Sequence, residues 1–317
     1  MKKPIHIVFA GGGTGGHLFP GLAVAAQLAS RLRGVRITFA GAGKAPERKL
    51  VAAEGHDYVV LPSRPLPSRA SEAISFVVEN VAGYFAASRF LDDEHVTAVV
   101  GLGGHASVPM GRAAARRRLP LVLLEQNAVP GKATRWLSRF ANLICTSFEQ
   151  SEQHLQSRCP IRLTGNPIRL DGLEISLLAK TALNPRLIIL GGSGGARSLN
   201  ENVPRALYKI RDALHGWEIM HQTGEADVES TRELYRKFAL EAQVEAFWND
   251  MPELLAGSSF AICRAGGTML AELATTATPA VLLPYPHATA DHQRKNAEVF
   301  AAAGAAQLID EREVSGR

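Results

Sequence analysis

Residues 5–28, IHIVFAGGGTGGHLFPGLAVAAQL, decide the fold: an apolar strand runs into a glycine-rich turn and then a helix. Residues 186–207, RLIILGGSGGARSLNENVPRAL, repeat that plan in the second half of the chain. Two such openings imply an α/β protein of two Rossmann-like parallel-sheet domains facing each other across a cleft, with ligands at the carboxyl ends of the strands. In the first stretch Gly11, Gly13 and Gly16 satisfy G-x-G-x-x-G. The dinucleotide fingerprint also needs an acid closing the next strand, where it holds a ribose. That strand reads Arg36-Ile37-Thr38-Phe39-Ala40-Gly41, which disfavours a nicotinamide cofactor. No G-x-x-x-x-G-K-[ST] stands in the chain, which disfavours a P-loop ATPase. The glycines still let backbone approach a phosphate or a reacting sugar, and a helix N-terminus presents free N–H groups. The plainer alternative is a tight strand-to-helix turn with no ligand.

Working outward, short apolar runs alternate with helical patterns along all 317 residues. Strands are expected at 5–10, 36–41, 57–62, 96–102, 120–125, 143–147, 186–191, 217–222, 244–248, 260–264, 279–283 and 306–309. Helical spacing runs from Leu18 to Leu32, Ser71 to Leu91 and Ser198 to Asp212. Strand–helix alternation is the signature of parallel sheets buried on both faces. The pattern breaks once, over 151–185, where Cys159-Pro160, Gly165-Asn166-Pro167 and Asn184-Pro185 punctuate a stretch with no strong strand before Arg186. A domain boundary is expected near 164–168, giving domains 1–164 and 165–317. A net charge of +5 favours anionic partners in general. The three cysteines show no CxxC pairing and read as reduced thiols of a cytoplasmic chain, with Cys145 and Cys263 in apolar runs as core residues. The N-terminal apolar run is too short for a signal peptide, and no stretch reaches the roughly 18 apolar residues of a spanning helix.

His17 sits in the first turn of its helix, where the dipole disfavours the imidazolium. It either caps the helix or, kept neutral, acts as a general base on a sugar hydroxyl. The loop Gly191-Gly192-Ser193-Gly194-Gly195-Ala196 offers an N–H cradle plus a hydroxyl. Glu272 falls one turn into the helix that follows Arg264-Ala265-Gly266-Gly267, where it bridges vicinal ribose hydroxyls or merely complements the dipole. Asp291-His292-Gln293-Arg294-Lys295-Asn296 opens another helix with polar groups expected toward the same end. No Asp-x-Asp clamp stands at a strand end, so no obligatory metal is expected.

Seven segments in order and spacing resemble one family: GGGTGGHLFPGLAVA (11–25), GLGGHASVP (101–109), LLEQNAVPGKATRWLSRFA (123–141), TGNPIR (164–169), GGSGGARSLN (191–200), CRAGGTMLAELA (263–274) and DHQRKNA (291–297). The chain resembles the MurG family over about residues 5–310. The resemblance implies the GT-B fold and an inverting, metal-independent transfer of N-acetylglucosamine from UDP-N-acetylglucosamine to lipid I, giving lipid II in peptidoglycan synthesis. It implies no cofactor, the UDP-sugar being a substrate, and no nucleic-acid partner. It places Thr14, Gly15 and Gly16 near the donor sugar and diphosphate, Asn127 on the N-acetylglucosamine and Arg169 at the hinge. Ser193 matches a phosphate-binding serine, and Trp248 a position whose backbone meets uracil. Gly267, Thr268, Met269, Leu270, Ala271 and Glu272 match the loop ending in the ribose-binding carboxylate, and Gln293 a glutamine at the donor sugar. His17 matches the proposed base for the acceptor 4-hydroxyl.

Three departures accompany the match. Thr268-Met269 stands where relatives carry a threonine one place later, which passes the diphosphate hydrogen bond to Thr268 or to backbone. Residues 63–70, SRPLPSRA, replace a glycine-containing basic loop near the acceptor. Relatives continue through a C-terminal helix beyond the position of Arg317. On helix 71–91, Ile74, Val77, Val78, Val81, Tyr84 and Phe85 form one stripe, with Arg64, Arg69, Arg89 and Arg116-Arg117-Arg118 nearby. The stripe fits a core-facing side or, with those arginines, an anionic membrane surface. The resemblance implies peripheral attachment at the cytoplasmic face of the bacterial inner membrane. Two other readings stay open: a GT-B transferase with a non-diphosphate acceptor, and a nucleotide-binding protein without activity.

Overall fold

A computed structural model describes residues 4–12, 15–168, 184–192, 194–248 and 251–311. The chain divides into two compact units, residues 1–169 and 170–317. Among the described residues the first unit carries a seven-stranded sheet in the order β3-β2-β1-β4-β5-β6-β7, every neighbouring pair parallel. Its strands are β1 His6–Gly11, β2 Arg36–Gly41, β3 Asp57–Val60, β4 Ala98–Gly103, β5 Leu121–Glu125, β6 Leu143–Thr146 and β7 Ile161–Leu163. Its α-helices are α1 Gly15–Arg31, α2 Ala45–Ala53, α3 Ala73–Asp93, α4 Ser107–Arg116 and α5 Lys132–Leu137.

The central strand β1 is buried at every position, as a parallel strand covered on both faces must be. Its side chains alternate between two cores. Val8 and Ala10 join Val99, Leu121, Leu123 and Ile144 under Ala87 and Leu91 of α3 and Met110, Ala113 and Ala114 of α4. Ile7 and Phe9 join Ile37, Phe39 and Leu102 under Leu18, Leu22 and Ala25 of α1 and Val51 of α2. Phe9 and Phe39 stack with ring centroids 5.1 Å apart.

Strand β7 lies in the stretch where the sequence shows no strong strand before Arg186. It is a three-residue edge strand directly after Pro160, paired through Ile144↔Ile161. Only Ile161 reaches the core, and Arg162 and Leu163 are exposed, so no apolar run marks it. Helix α3 turns most of the stripe away from the core. Its buried side is Gly83, Ala87, Ser88 and Leu91, with Tyr84 packed against the core. Ile74 is 79% exposed, Val78 60% and Phe85 65%, with Val77 and Val81 also exposed.

Among its described residues the second unit has a six-stranded sheet in the order β10-β9-β8-β11-β12-β13, again parallel between neighbours. The strands are β8 Arg186–Leu190, β9 Glu218–Gln222, β10 Gln243–Glu245, β11 Phe260–Cys263, β12 Ala280–Leu282 and β13 Ala306–Leu308. The helices are α6 Arg197–Lys209, α7 Val228–Lys237, α8 Met251–Ala256, α9 Gly267–Thr276 and α10 His292–Ala302. Leu187 and Ile189 of β8 pack with Ile219, Val244 and Tyr235 against Leu199, Val203 and Leu207 of α6. Cys263 is buried in β11, whereas Cys145 and Cys159 are half-buried.

Candidate active site

In each unit the strand order reverses beside the first strand of that unit, and loops at such a point gather at the carboxyl edge of the sheet. In the first unit these are the turns after β1, β4 and β5. Gly12 has φ 143°, and a Cβ there would lie 2.9 Å from Glu47 Oε2. The Gly12 carbonyl in turn occupies the space of a Cβ on Gly104, at 2.5 Å. Only glycine fits such an approach. Gly15 and Gly16 open α1, and His17 is half-buried in its first turn. The His17 ring lies against Gly103: a Cβ on Gly103 would be 3.0 Å from His17 Cδ2, 3.3 Å from Nε2 and 3.7 Å from Thr134 Oγ1.

The β5 turn is organised by Glu125, a buried carboxyl at the strand end. It accepts hydrogen bonds from the backbone N and side-chain Nδ2 of Asn127, both 3.1 Å, from Gly131 N at 3.2 Å, and from the Thr134 hydroxyl. Burial raises the Glu125 pKa, and these bonds lower it less than burial lifts it. The Asn127 carbonyl accepts from Ser151 Oγ at 2.8 Å. His17 and Thr134 thus flank the position of a Gly103 side chain, and Thr134 and Asn127 both bond Glu125. Glu125 stood inside a quoted motif, but its organising role depends on partners that only folding assembles.

In the second unit the loop after β8 rests on β9. Gly195 has φ 76°, and a Cβ there would collide with the Thr223 carbonyl. Gln222 Nε2 donates to Gly192 O at 3.3 Å. Beneath the loop, Asn200 Nδ2 donates to Thr223 O at 3.0 Å and Asp227 Oδ2 at 2.9 Å. The Asn200 Oδ1 meets His221 Nε2 at 3.1 Å, and His221 Nδ1 meets the Tyr235 hydroxyl at 2.9 Å. Burial pushes the His221 pKa down to about 3, so this ring is neutral. Asn200, His221 and Tyr235 were not singled out from sequence, since nothing local marks a buried polar network.

Of the expected donor residues, Trp248 ends the segment after β10, and its backbone N–H donates to Gln222 Oε1 at 3.0 Å. Gly267 and Thr268 are buried at the start of α9, with Gly266 as N-cap. Leu270 is fully buried, while Met269, Ala271 and Glu272 are half-buried. Burial pushes the Glu272 carboxyl up to about 7. Gln293 Oε1 accepts from Tyr285 N at 2.9 Å. Polar side chains of the 291–296 run are held by partners within the second unit. Asn296 is buried and donates to Ala265 O at 3.1 Å, Arg294 pairs with Asp310 at 2.5 Å, and Lys295 pairs with Glu298 at 2.8 Å. Arg264 is likewise committed internally, to the carbonyls of Leu283 and Pro284, to Ser198 Oγ at 2.8 Å and to Glu311. Thr14, Arg169 and Ser193 lie outside the described residues. Among the described residues no group of three or more His, Cys, Asp or Glu is placed to hold a metal ion.

The N-terminal domain of glycosyltransferase family 28 matches residues 7–146, and the C-terminal domain of the same family matches residues 186–317. The UDP-N-acetylglucosamine--N-acetylmuramyl-(pentapeptide) pyrophosphoryl-undecaprenol N-acetylglucosamine transferase of Trichlorobacter lovleyi is 35% identical, covering 98% of this chain and 87% of the relative. The protein of that name from Geobacter sulfurreducens is also 35% identical, with 98% and 86% covered. The crystal structure of Acinetobacter baumannii MurG superposes with a TM-score of 0.74 at 32% identity, covering 98% of this chain and 86% of that one. The chain belongs to the MurG family of glycosyltransferases. MurG membership gives it the GT-B fold, two Rossmann-like domains in one chain, and makes it a glycosyltransferase of family 28. The MurG relation spans both turns quoted at the outset.

Proposed function

We propose that the chain transfers N-acetylglucosamine from UDP-N-acetylglucosamine to lipid I, an undecaprenyl-diphosphate-linked muramoyl-pentapeptide, giving lipid II for the cell wall. The observation that carries this reading is the 35% identity along 98% of the chain to proteins named for that transfer. His17 Nε2 takes the proton of the acceptor 4-hydroxyl as that oxygen bonds to the anomeric carbon. The bond from the anomeric carbon to UDP breaks, and UDP leaves with the electron pair, inverting the centre. What supports His17 in this role is its place at the switch point of the first sheet, with the ring against Gly103 and the Glu125-held Asn127 beyond Thr134. Asn127 reads the N-acetylglucosamine.

The second domain, taken from residue 165 onward, holds the donor. Glu272 bridges the ribose hydroxyls, Thr268 or the backbone of Gly267 to Ala271 meets the diphosphate, and Gln293 meets the sugar. Trp248 meets uracil through its carbonyl, because its N–H already serves Gln222. Thr14, Gly15, Gly16, Arg169 and Ser193 complete the donor contacts. Leaving-group charge falls on helix N-termini and neutral donors rather than on a metal, and no cofactor is needed.

No helix among the described residues is long and apolar enough to cross a membrane. Attachment is peripheral, at the cytoplasmic face, through the exposed side of α3. Ile74, Val77, Val78, Val81 and Phe85 enter the interface, flanked by exposed Arg69, Arg89, Arg116 and Arg118. Arg64 is paired with Glu79 at 2.6 Å and contributes less net charge there. Calorimetry with UDP-N-acetylglucosamine, paired with turnover on a lipid I analogue, tests the function. Binding with transfer is expected; binding with no transfer would return the chain to the inactive nucleotide-binding reading.

A further inference from the structure

Behind the glycine turn of the first unit lies a buried carboxylate that neither the motifs nor the proposed chemistry uses. Glu47, in the first turn of α2, is 5% exposed. Its Oε2 accepts from the Tyr58 hydroxyl of β3 at 2.8 Å, and that hydroxyl accepts from Gly43 N at 3.2 Å. The carboxyl is thus held from β3 through Tyr58 and pressed against Gly12, where a Cβ would meet Oε2 at 2.9 Å and Oε1 at 3.0 Å. On its other side Gly12 touches Gly104, and the neighbouring Gly103 carries the His17 ring. The half-buried His105 interacts electrostatically with both Glu47 and Lys44, and Tyr58 with both Glu47 and Arg48. Burying a carboxylate is costly unless something holds it. An apolar residue would fill the same space, so the charge and its clamp call for a purpose.

We infer that Glu47, fixed by Tyr58, is a positioning residue. It sets the backbone of the turn at Gly11–Gly12 and, through the Gly103–Gly104 turn packed on it, the ring of His17. The inference rests on His17 being the base. The Glu47→Gln variant removes the charge at constant shape, and Tyr58→Phe removes the clamp while keeping the carboxylate. Each is measured for kcat and for KM of both substrates, for Tm, and by NMR for the His17 ring resonances, assigned with His17→Ala. Expected are a fall in kcat of about tenfold or more for Glu47→Gln and a smaller fall for Tyr58→Phe. KM for UDP-N-acetylglucosamine stays within about twofold, and the His17 resonances move in both variants. Glu47→Asp restores part of the rate. A lowered Tm with wild-type kcat per folded molecule and unmoved His17 resonances would overturn the inference. If Glu47→Gln does not fold, Tyr58→Phe decides by the same readings. If His17→Ala keeps full turnover while Glu47→Gln still moves the His17 ring, the base assignment falls and the clamp stands. The reverse pattern removes the clamp alone.

Discussion

At the scale of single residues, burial beside Cys263 pushes the Glu272 carboxyl up to about 7. In the proposed donor site its ionised form accepts from both ribose hydroxyls, so KM for the donor should rise as pH falls through about 7. Glu272→Gln should raise that KM about 10–100-fold at pH 8, the worth of hydrogen bonds to a charged group, with a smaller effect on kcat. The same substitution should raise Tm at pH 8. The folded-state value stands above the unfolded one, about 4.3, so the protein binds a proton more tightly folded. That contribution is full below the unfolded value and is lost as pH rises through about 7, which leaves a buried charge that glutamine avoids. A Tm and a KM unchanged between variant and parent would contradict both statements. Asn200→Ala should cost about 1–3 kcal/mol in denaturant unfolding, because His221 and Asp227 lose a buried partner.

At the scale of elements, the outer side of α3 carries the membrane proposal. Val78→Glu and Phe85→Glu should leave the unfolding free energy within the spread of surface substitutions, about 0.5 kcal/mol, because both side chains face solvent. Binding to vesicles rich in anionic lipid should fall about tenfold, the worth of one buried large apolar side chain. Unchanged vesicle binding would remove α3 from the interface. The twelve strands read from periodicity all form, the central ones as apolar runs buried on both faces and β3, β10 and β13 as only partly buried edge strands. The seventh strand of the first sheet was not legible: Ile161-Arg162-Leu163 has one core residue and a preceding proline. The direction of the α3 stripe was not legible either, since the same spacing serves a core or a bilayer. Ordered motifs pointed to Glu272, Gln293 and the glycine turns. Glu47, Tyr58 and the Asn200–His221–Tyr235 network were silent, because each acquires meaning only from a neighbour distant in sequence.

At the scale of the whole molecule, the proposed chemistry divides labour between the two units: base and acceptor with the first, donor with the second. His17→Ala should therefore bind UDP-N-acetylglucosamine within about threefold of the parent while kcat falls about 10²–10⁴-fold, the usual worth of a general base. Undiminished turnover would refute the base assignment. The most direct test of the central claim is mass-spectrometric analysis of the product formed from UDP-N-acetylglucosamine and a lipid I analogue by the purified chain. Addition of one N-acetylhexosamine to the diphosphate-linked muramoyl-pentapeptide, with release of UDP, is the predicted result. Transfer only to acceptors lacking the diphosphate, with the lipid I analogue untouched, would contradict it.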